Sequence, residues 1–402
     1  MWIVKTTDMR ISKNIMGIEM YFRLNPECYL IRGKKLGAIF DLSDEKLYSL
    51  NLQETEIITS CEKNNPIQEY EAVLSELKNL RLGNFYNNRI YIQKLRVGSR
   101  IDETDPFYPF SPPDLNRAFL EINNACNRDC WFCGYYGIAR SLGCMGCNKW
   151  IESGNPLNVE RWKKAIDELR DLNCNVIYIT GGDLTIEWDK TMDILDYAKN
   201  KFSDIYIILH KQSVSTDKVA DVKNRAKLII QTDELNNLLS DDVYYLLVVT
   251  PDNWFNAGSI ECKNVMRDYV IKNESSSSDN LPLASKKKIS SVNMFKFFDN
   301  IEYHPCLGHT LAICYNGDVV PCPMMRNYTF GNLNSMELCD VFGKEWERIN
   351  EFWRLNLDKI EKCTDCEFRY ACTDCRALEE GLTAKLDGKR LCHYNPDQGE
   401  WL

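Results

Sequence analysis

Phe119-Leu-Glu-Ile-Asn-Asn-Ala-Cys126-Asn-Arg-Asp-Cys130-Trp-Phe-Cys133 is the stretch on which the reading of this chain turns. Phe119–Asn123 is short and apolar, as a buried strand is, and three thiols follow it at C-x3-C-x2-C spacing. Three thiolates this close can wrap one 4Fe-4S cube and leave its fourth iron without a protein ligand. A zinc knuckle fits less well, because structural zinc wants four ligands and the loop offers three.

Outward from this loop, strands and helices alternate. Strands are expected at Ala118–Ile122, Val176–Thr180, Ile205–Leu209, Leu228–Gln231, Val243–Thr250 and Val292–Phe298, with helices over 159–172, 187–201 and 216–224. Such alternation implies an α/β fold of parallel strands with helices outside, in an open or closed barrel. Thr180-Gly181-Gly182-Asp183 closes the second of these strands, and its glycines let backbone come close to a ligand at the C-terminal end of a sheet. Alone, Gly-Gly-Asp is more often a tight turn, but its place one unit after the cysteine loop favours ligand binding. Glu274-Ser-Ser-Ser-Ser-Asp279 is polar and aperiodic and reads as a loop within the barrel.

Upstream, residues 1–105 read as a small module. Strand-like segments at Glu19–Leu24, Cys28–Ile31 and Gly37–Leu42 precede helical patterns at Asn51–Cys61 and Gln68–Leu80, and Arg89–Gln93 returns to a period of two, as a wing strand would. Together they make a winged-helix outline. The proline-rich Asp105-Pro-Phe-Tyr-Pro-Phe-Ser-Pro-Pro113 separates this module from the barrel. From about Pro305 the chain is short on regular pattern and dense in cysteine, as a small module stapled by metal is. The expected domains are therefore 1–105, 114–300 and 301–402.

Composition narrows the partners. With 402 residues, 44% hydrophobic and 27% charged, the chain is a soluble globular type, and no apolar run is long enough for a membrane span. Its start lacks a secretory pattern, so a cytoplasmic location is expected. A net charge of -9 argues against nucleic acid and for a peptide or small molecule. Eighteen cysteines in a reducing compartment read as metal ligation or redox chemistry. The four histidines, His210, His304, His309 and His393, form no spaced pair, so a histidine metal site is not expected.

Cys126, Cys130 and Cys133 resemble the signature of the radical S-adenosylmethionine (SAM) superfamily. That resemblance implies a partial (β/α)6 TIM-type barrel with the cluster at its C-terminal mouth. It also implies that the open iron chelates the cofactor's amino and carboxylate groups and reduces it, giving a 5′-deoxyadenosyl radical. Phe132 stands where the family commonly places an aromatic near the adenine. Thr180, Gly181, Gly182 and Asp183 stand where it places a Gly-Gly-Glu type motif that binds the methionyl ammonium, with Asp183 a mild departure.

A second array begins at Cys306 as C-x10-G-x4-C, through Gly317 to Cys322, and continues with Cys363-Thr-Asp-Cys366, Cys372-Thr-Asp-Cys375 and Cys392. It resembles the SPASM extension of peptide-modifying radical enzymes. A pair of zinc ribbons is the plainer alternative, because C-x2-C pairs also suit tetrahedral zinc. Within the resemblance, Cys306, Cys322 and Cys375 serve one auxiliary cluster and Cys363, Cys366, Cys372 and Cys392 a second. The C-x2-C spacing of Cys372 and Cys375 departs from the usual C-x3-C and leaves Cys375 the less secure assignment. Cys314 is either the missing fourth ligand of the first cluster or a buried strand cysteine. Phe368 and Tyr370 beside Arg369 would shield and tune a cluster. Cys144 and Cys147, in a loop with Gly143 and Gly146, are candidates for substrate binding, hydrogen donation or a structural role. Cys28, Cys61, Cys174, Cys262 and Cys339 stand alone and read as packing residues.

The small N-terminal module resembles the PqqD-like recognition element of machines for ribosomally made, modified peptides. An edge strand there would take up a leader peptide as an added strand; a structural or dimerising role is the alternative. The expectation is an enzyme that installs a thioether or carbon–carbon crosslink in a precursor peptide, with a flavodoxin- or ferredoxin-type electron donor. Its rivals are an anaerobic sulfatase-maturing enzyme forming formylglycine and a non-catalytic zinc-binding protein. No residue identifies a general base or radical relay.

Overall fold

A computed structural model describes residues 19–67, 72–97, 115–130, 132–133, 138–151, 154–234, 243–250, 264–272, 289 and 291–401. The expected proline-rich connector and the Glu274–Asp279 loop lie outside the described residues.

One ten-stranded sheet organises the molecule. Its centre is a parallel run of β6 (Arg117–Glu121), β8 (Val176–Thr180), β9 (Asp204–His210), β10 (Lys227–Thr232), β11 (Tyr244–Val249) and β12 (Val265–Lys272). These strands are rich in β-branched and aromatic residues, which suit a pleated surface covered on both faces. Helices lie outside: in α3 (Val159–Asp171), Asn158 caps the first turn and Trp162, Ala165, Ile166 and Leu169 bury one stripe against the sheet. Helices α4 (Trp188–Ala198) and α5 (Thr216–Val222) follow the next two strands. This is the mainly parallel sheet of a partial TIM-type barrel.

The sheet runs past residue 300. Strand β13 (Thr310–Ile313) joins β6 in parallel, and β14 (Asp318–Val320) and β15 (Gly331–Asn332) extend that edge antiparallel. The far edge is finished by β7 (Ile138–Arg140), antiparallel to β12.

The sixth expected strand, Val292–Phe298, is instead the start of helix α6 (Met294–Glu302). Asn293 explains the difference: its side chain accepts from Phe295 N and Lys296 N, as an N-cap does. The sixth barrel strand is β12, whose Arg267 and Asp268 interrupt its apolar pattern. The C-terminal region is also more regular than expected, with a 16-residue helix α7 (Leu338–Trp353) on the outside of the barrel, then short α8 (Glu361–Thr364) and α9 (Arg376–Thr383).

In the N-terminal module, β1 (Tyr21–Leu24) pairs with β5 (Gly83–Tyr86), and β2 (Cys28–Arg32), β3 (Gly37–Asp41) and β4 (Lys46–Leu50) form a three-stranded antiparallel sheet. Helix α1 (Leu52–Glu62) opens with a capping box of Asn51 and Glu54, and α2 (Ala72–Asn79) packs with it over Phe22, Leu24, Ile39 and Leu50. The wing strand expected at Arg89–Gln93 forms no ladder; the returning strand is β5, which lies earlier in the chain. Lys46–Leu50, not anticipated as a strand, supplies the third strand of the sheet. No helix among the described residues is long and apolar enough to cross a membrane.

Candidate metal centres

The period-two alternation of the parallel strands sends Glu121, Thr180, His210 and Gln231 to the same face at their C-terminal ends, in register as Glu121 with Thr180 and His210 with Gln231. The cysteine loop lies over this end of the barrel, where (β/α) enzymes place their chemistry. It leaves β6 beside the Gly-Gly-Asp turn. Ile122 N donates to Thr180 O, Gly182 N to Asn123 O and Asp183 N to Ala125 O, at 3.0, 3.1 and 2.6 Å. A Cβ on Gly181, whose φ is +143°, would stand 2.5 Å from Asn123 O, and one on Gly182 would stand 2.3 Å from Ala125 O. Only glycine permits this approach.

Cys126, Cys130, Phe132, Cys133 and Gly182 line one cleft. Backbone amides point at two of its sulfurs: Arg128 N lies 3.4 Å from Cys126 Sγ and Lys149 N 2.9 Å from Cys133 Sγ. Burial raises the thiols of Cys130 and Cys133, and the neighbouring Cys133 and Cys126 raise Cys130 further. Thiols in this setting ionise when a strong cation binds them, which suits an iron cluster. The residues fit a 4Fe-4S cube held by three cysteines.

A second cleft is lined by Cys306, Cys322 and Cys375, together with Cys144. Arg117 stands over Cys306, donating to its carbonyl at 2.6 Å, and its charge faces both Cys306 and Cys144. Further out, Cys363, Cys366, Cys372 and Cys392 form a third group whose thiols act on one another electrostatically. Burial pushes Cys363 to about 12 and Cys372 to about 11. Among the described residues no three His, Cys, Asp or Glu side chains close on a point as a single ion requires. The thiols of the first two groups border clefts.

Residues 120–234 match the radical SAM superfamily. The chain carries a radical SAM domain. Residues 306–367 match the SPASM iron-sulfur cluster-binding domain. The chain is accordingly an enzyme of the radical SAM class, with 4Fe-4S clusters and S-adenosylmethionine as cofactors. No curated protein matches it. Among solved structures, it is similar to Streptococcus suis SuiB bound to precursor peptide SuiA, at 12% identity over 89% of this chain and 96% of that one, TM-score 0.44. SuiB bound to S-adenosylmethionine is similar at 13% identity over 89% and 96%, TM-score 0.44. Polyhistidine-tagged anSMEcpe with bound AdoMet is similar at 14% identity over 69% and 93%, TM-score 0.45.

In the radical SAM domain, Asp183 is not open to the cleft. Its carboxylate is 8% exposed and accepts from Arg128 at 2.6 Å, Ser213 Oγ at 2.9 Å and Thr185 Oγ1 at 2.7 Å. Burial works to raise this carboxyl, but the bonds from Thr185, Arg128 and Ser213 outweigh it and hold it below the usual range. Thr180 Oγ1 is likewise taken, donating to Gly146 O at 2.6 Å.

The loop of Cys144 and Cys147, singled out in the sequence without a place in the fold, lies across the barrel mouth. Between Ser141 and Trp150, Cys147 N donates to Gln231 Oε1, Asn148 N to Gly181 O and Leu142 N to Asp268 Oδ1. Arg140 anchors it. This guanidinium is fully buried, ion-paired with Asp268 and bonded to Asn148 Oδ1 at 2.6 Å, and it lies over the Phe132 ring. Sequence reasoning missed His210 and Gln231, and both line the first cleft. The available signal was their position at the C-terminal ends of two expected strands.

In the SPASM domain, Cys314 lies just past β13 and packs with Phe119, Ala312 and Val320, off the lining of the second cleft. Asp374, between Cys372 and Cys375, accepts from His304, Arg376 and Lys389, all buried. Burial opposes its charge, yet Lys389, His304 and Arg376 hold the carboxyl well below the usual range. His304 Nδ1 accepts from Cys306 N at 3.0 Å, so its Nε2 carries the proton given to Asp374. One polar network thus ties both groups of SPASM cysteines together. Of the lone cysteines, Cys28, Cys61 and Cys174 are buried, whereas Cys339 is exposed on α7; Cys262 lies outside the described residues.

Proposed function

We propose that this enzyme installs a thioether or carbon–carbon crosslink in a ribosomally synthesised precursor peptide. The observation that carries the reading is the docking of the N-terminal sheet on the SPASM domain. Ile31, Ala38, Phe40 and Leu42 share one buried cluster with Cys363, Phe368, Cys372 and Tyr394. Among the described residues, β4 has β3 as its single ladder partner, so its other edge offers backbone donors and acceptors to an incoming strand. The module is read here as a winged-helix, PqqD-like recognition element, with the leader peptide as a further strand beside β4.

When bound, the cube and S-adenosylmethionine supply a 5′-deoxyadenosyl radical able to take hydrogen from an unactivated C–H bond. Cys126, Cys130 and Cys133 would hold the cube, and Phe132 and the Gly181–Gly182 backbone would border the cofactor. Arg128 and Asp183 fix the cysteine loop against the turn, and the Arg140-anchored loop walls the mouth against water. The surplus electron of the crosslink would leave through the SPASM cysteines, and the reducing electron would come from a flavodoxin- or ferredoxin-type donor.

Anaerobic co-expression with candidate precursor peptides from short open reading frames near the gene tests this. Crosslinking gives a peptide lighter by two hydrogens that resists separation of the joined residues. An unchanged peptide mass, with active cofactor cleavage, rules crosslinking out.

A further inference from the structure

Cys144 and Cys147 are three residues apart, but they line different clefts. Cys147 borders the cleft of Cys126, Cys130 and Cys133, whereas Cys144 borders the cleft of Cys306, Cys322 and Cys375. From these positions we infer that Cys144, a residue of the radical SAM half of the chain, is the fourth protein ligand of the first auxiliary cluster. This rests on the reading of the SPASM cysteines as iron ligands and says which thiol completes one set.

The placement is built. Cys144 sits in the 3-10 turn Gly143–Met145 and lines the cleft together with Cys322. The turn is held by Asn148 Nδ2, which donates to Gly143 O at 2.8 Å, and by Asp268, which accepts from Leu142 N at 2.9 Å. A Cβ on Gly143 would stand 2.9 Å from both Arg140 Cβ and Met324 Sδ, so the turn is pressed against the cleft wall with no room to spare. The competing candidate, Cys314, is 1% exposed and packs with Phe119, Ala312 and Val320, a cluster that Cys144 also touches, but of the two thiols it is Cys144 that lines the cleft.

A chemical consequence follows. Three thiolates leave one iron of a cube open to a substrate thiol, and four close it. With Cys144 in the set, the first auxiliary cluster binds no substrate and passes electrons. The loop that carries Cys144 also carries Cys147 at the other cleft, so the covalent chain joins the two centres through a few residues.

The test uses full-length protein with Cys126, Cys130 and Cys133 replaced by Ala, so that spectra report the auxiliary sites alone. Cys144→Ala, Cys144→Ser and Cys314→Ala are each added to it and reconstituted anaerobically with iron and sulfide. Iron content and the EPR spectrum of the reduced clusters are read with and without excess 2-mercaptoethanol. The inference predicts that Cys144→Ala either loses about four irons, one cube's worth, or gains a spectrum that shifts with added thiol. It also predicts that Cys144→Ser shifts the spectrum while keeping the iron, and that Cys314→Ala matches its parent. A Cys144→Ala protein identical to its parent with and without thiol overturns the inference and leaves the cluster reading standing. A parent that takes up no iron overturns both.

Discussion

The Arg128 guanidinium, two residues past the first cysteine of the loop, stands 2.6 Å from the Asp183 carboxylate of the Gly-Gly-Asp turn. Two segments 55 residues apart in sequence are thereby locked at the barrel mouth. The acidic residue of this turn holds the cysteine loop in place.

Replacing Asp183 with Ala leaves Arg128 and Ser213 without their acceptor, and the loss of a partly buried charged bond costs about 1–3 kcal/mol. The expected outcome is a lower melting temperature and weaker S-adenosylmethionine binding, with Asp183→Asn milder because it still accepts from Thr185. The carboxyl is held below its usual range, so its contribution is complete above an unfolded value of about 3.9 and fades as pH falls through the lower folded value. The unfolding midpoints of wild type and Asp183→Asn should differ by a constant amount between about pH 7 and 5 and converge in stronger acid.

Gly182→Ala should remove the radical SAM cluster and spare the others, because the new Cβ meets Ala125 O, a backbone atom, at 2.3 Å. Iron analysis checks this, with a loss of about four irons per chain expected for one cube. Gly343, within α7, has nothing within 4 Å of such a Cβ. Gly343→Ala should keep all the iron and stabilise the helix by up to about 1 kcal/mol.

The five barrel strands from β6 to β11 are legible in the sequence because each is an apolar, β-branched run bounded by polar residues, and the cysteine loop is legible from spacing alone. Strand β12 is not, since Asp268 breaks its pattern and its partner Arg140 lies 128 residues away. Val292–Phe298 alternates like a strand, yet the Asn293 cap, a local signal of the opposite kind, prevails there and starts a helix. Cys144 has no local partner to mark it: Cys306, Cys322 and Cys375 come more than 160 residues later and meet it through β13 pairing with β6. Local pattern carries strands and loops, whereas charge pairing and ligand sharing across a sheet are set by tertiary packing.

Asp268→Asn should be among the most damaging single changes outside the cysteines. Asp268 is fully buried, accepts from Arg140 Nε at 2.7 Å and also binds Leu142 N. Removing one partner of such a pair costs about 3–5 kcal/mol, and an apolar replacement of both partners costs less. Thermal unfolding of Asp268→Asn and of the Arg140→Met, Asp268→Leu double variant checks the order, with the double variant predicted to melt higher than the single.

Leader binding by strand addition should protect the amides of Lys46–Leu50 from hydrogen exchange, since among the described residues β4 pairs with β3 alone. Exchange with and without the leader segment should show protection at β4 and little change at β2. Protection elsewhere with none at β4 would move the docking site.

Product analysis under strict anaerobiosis reads the radical chemistry itself. Iron-loaded wild-type enzyme, given S-adenosylmethionine and dithionite, should release 5′-deoxyadenosine and methionine in equal amounts, and a variant with Cys126, Cys130 and Cys133 replaced by Ala should release neither. Fully loaded wild-type protein that yields no 5′-deoxyadenosine would contradict the account at its root.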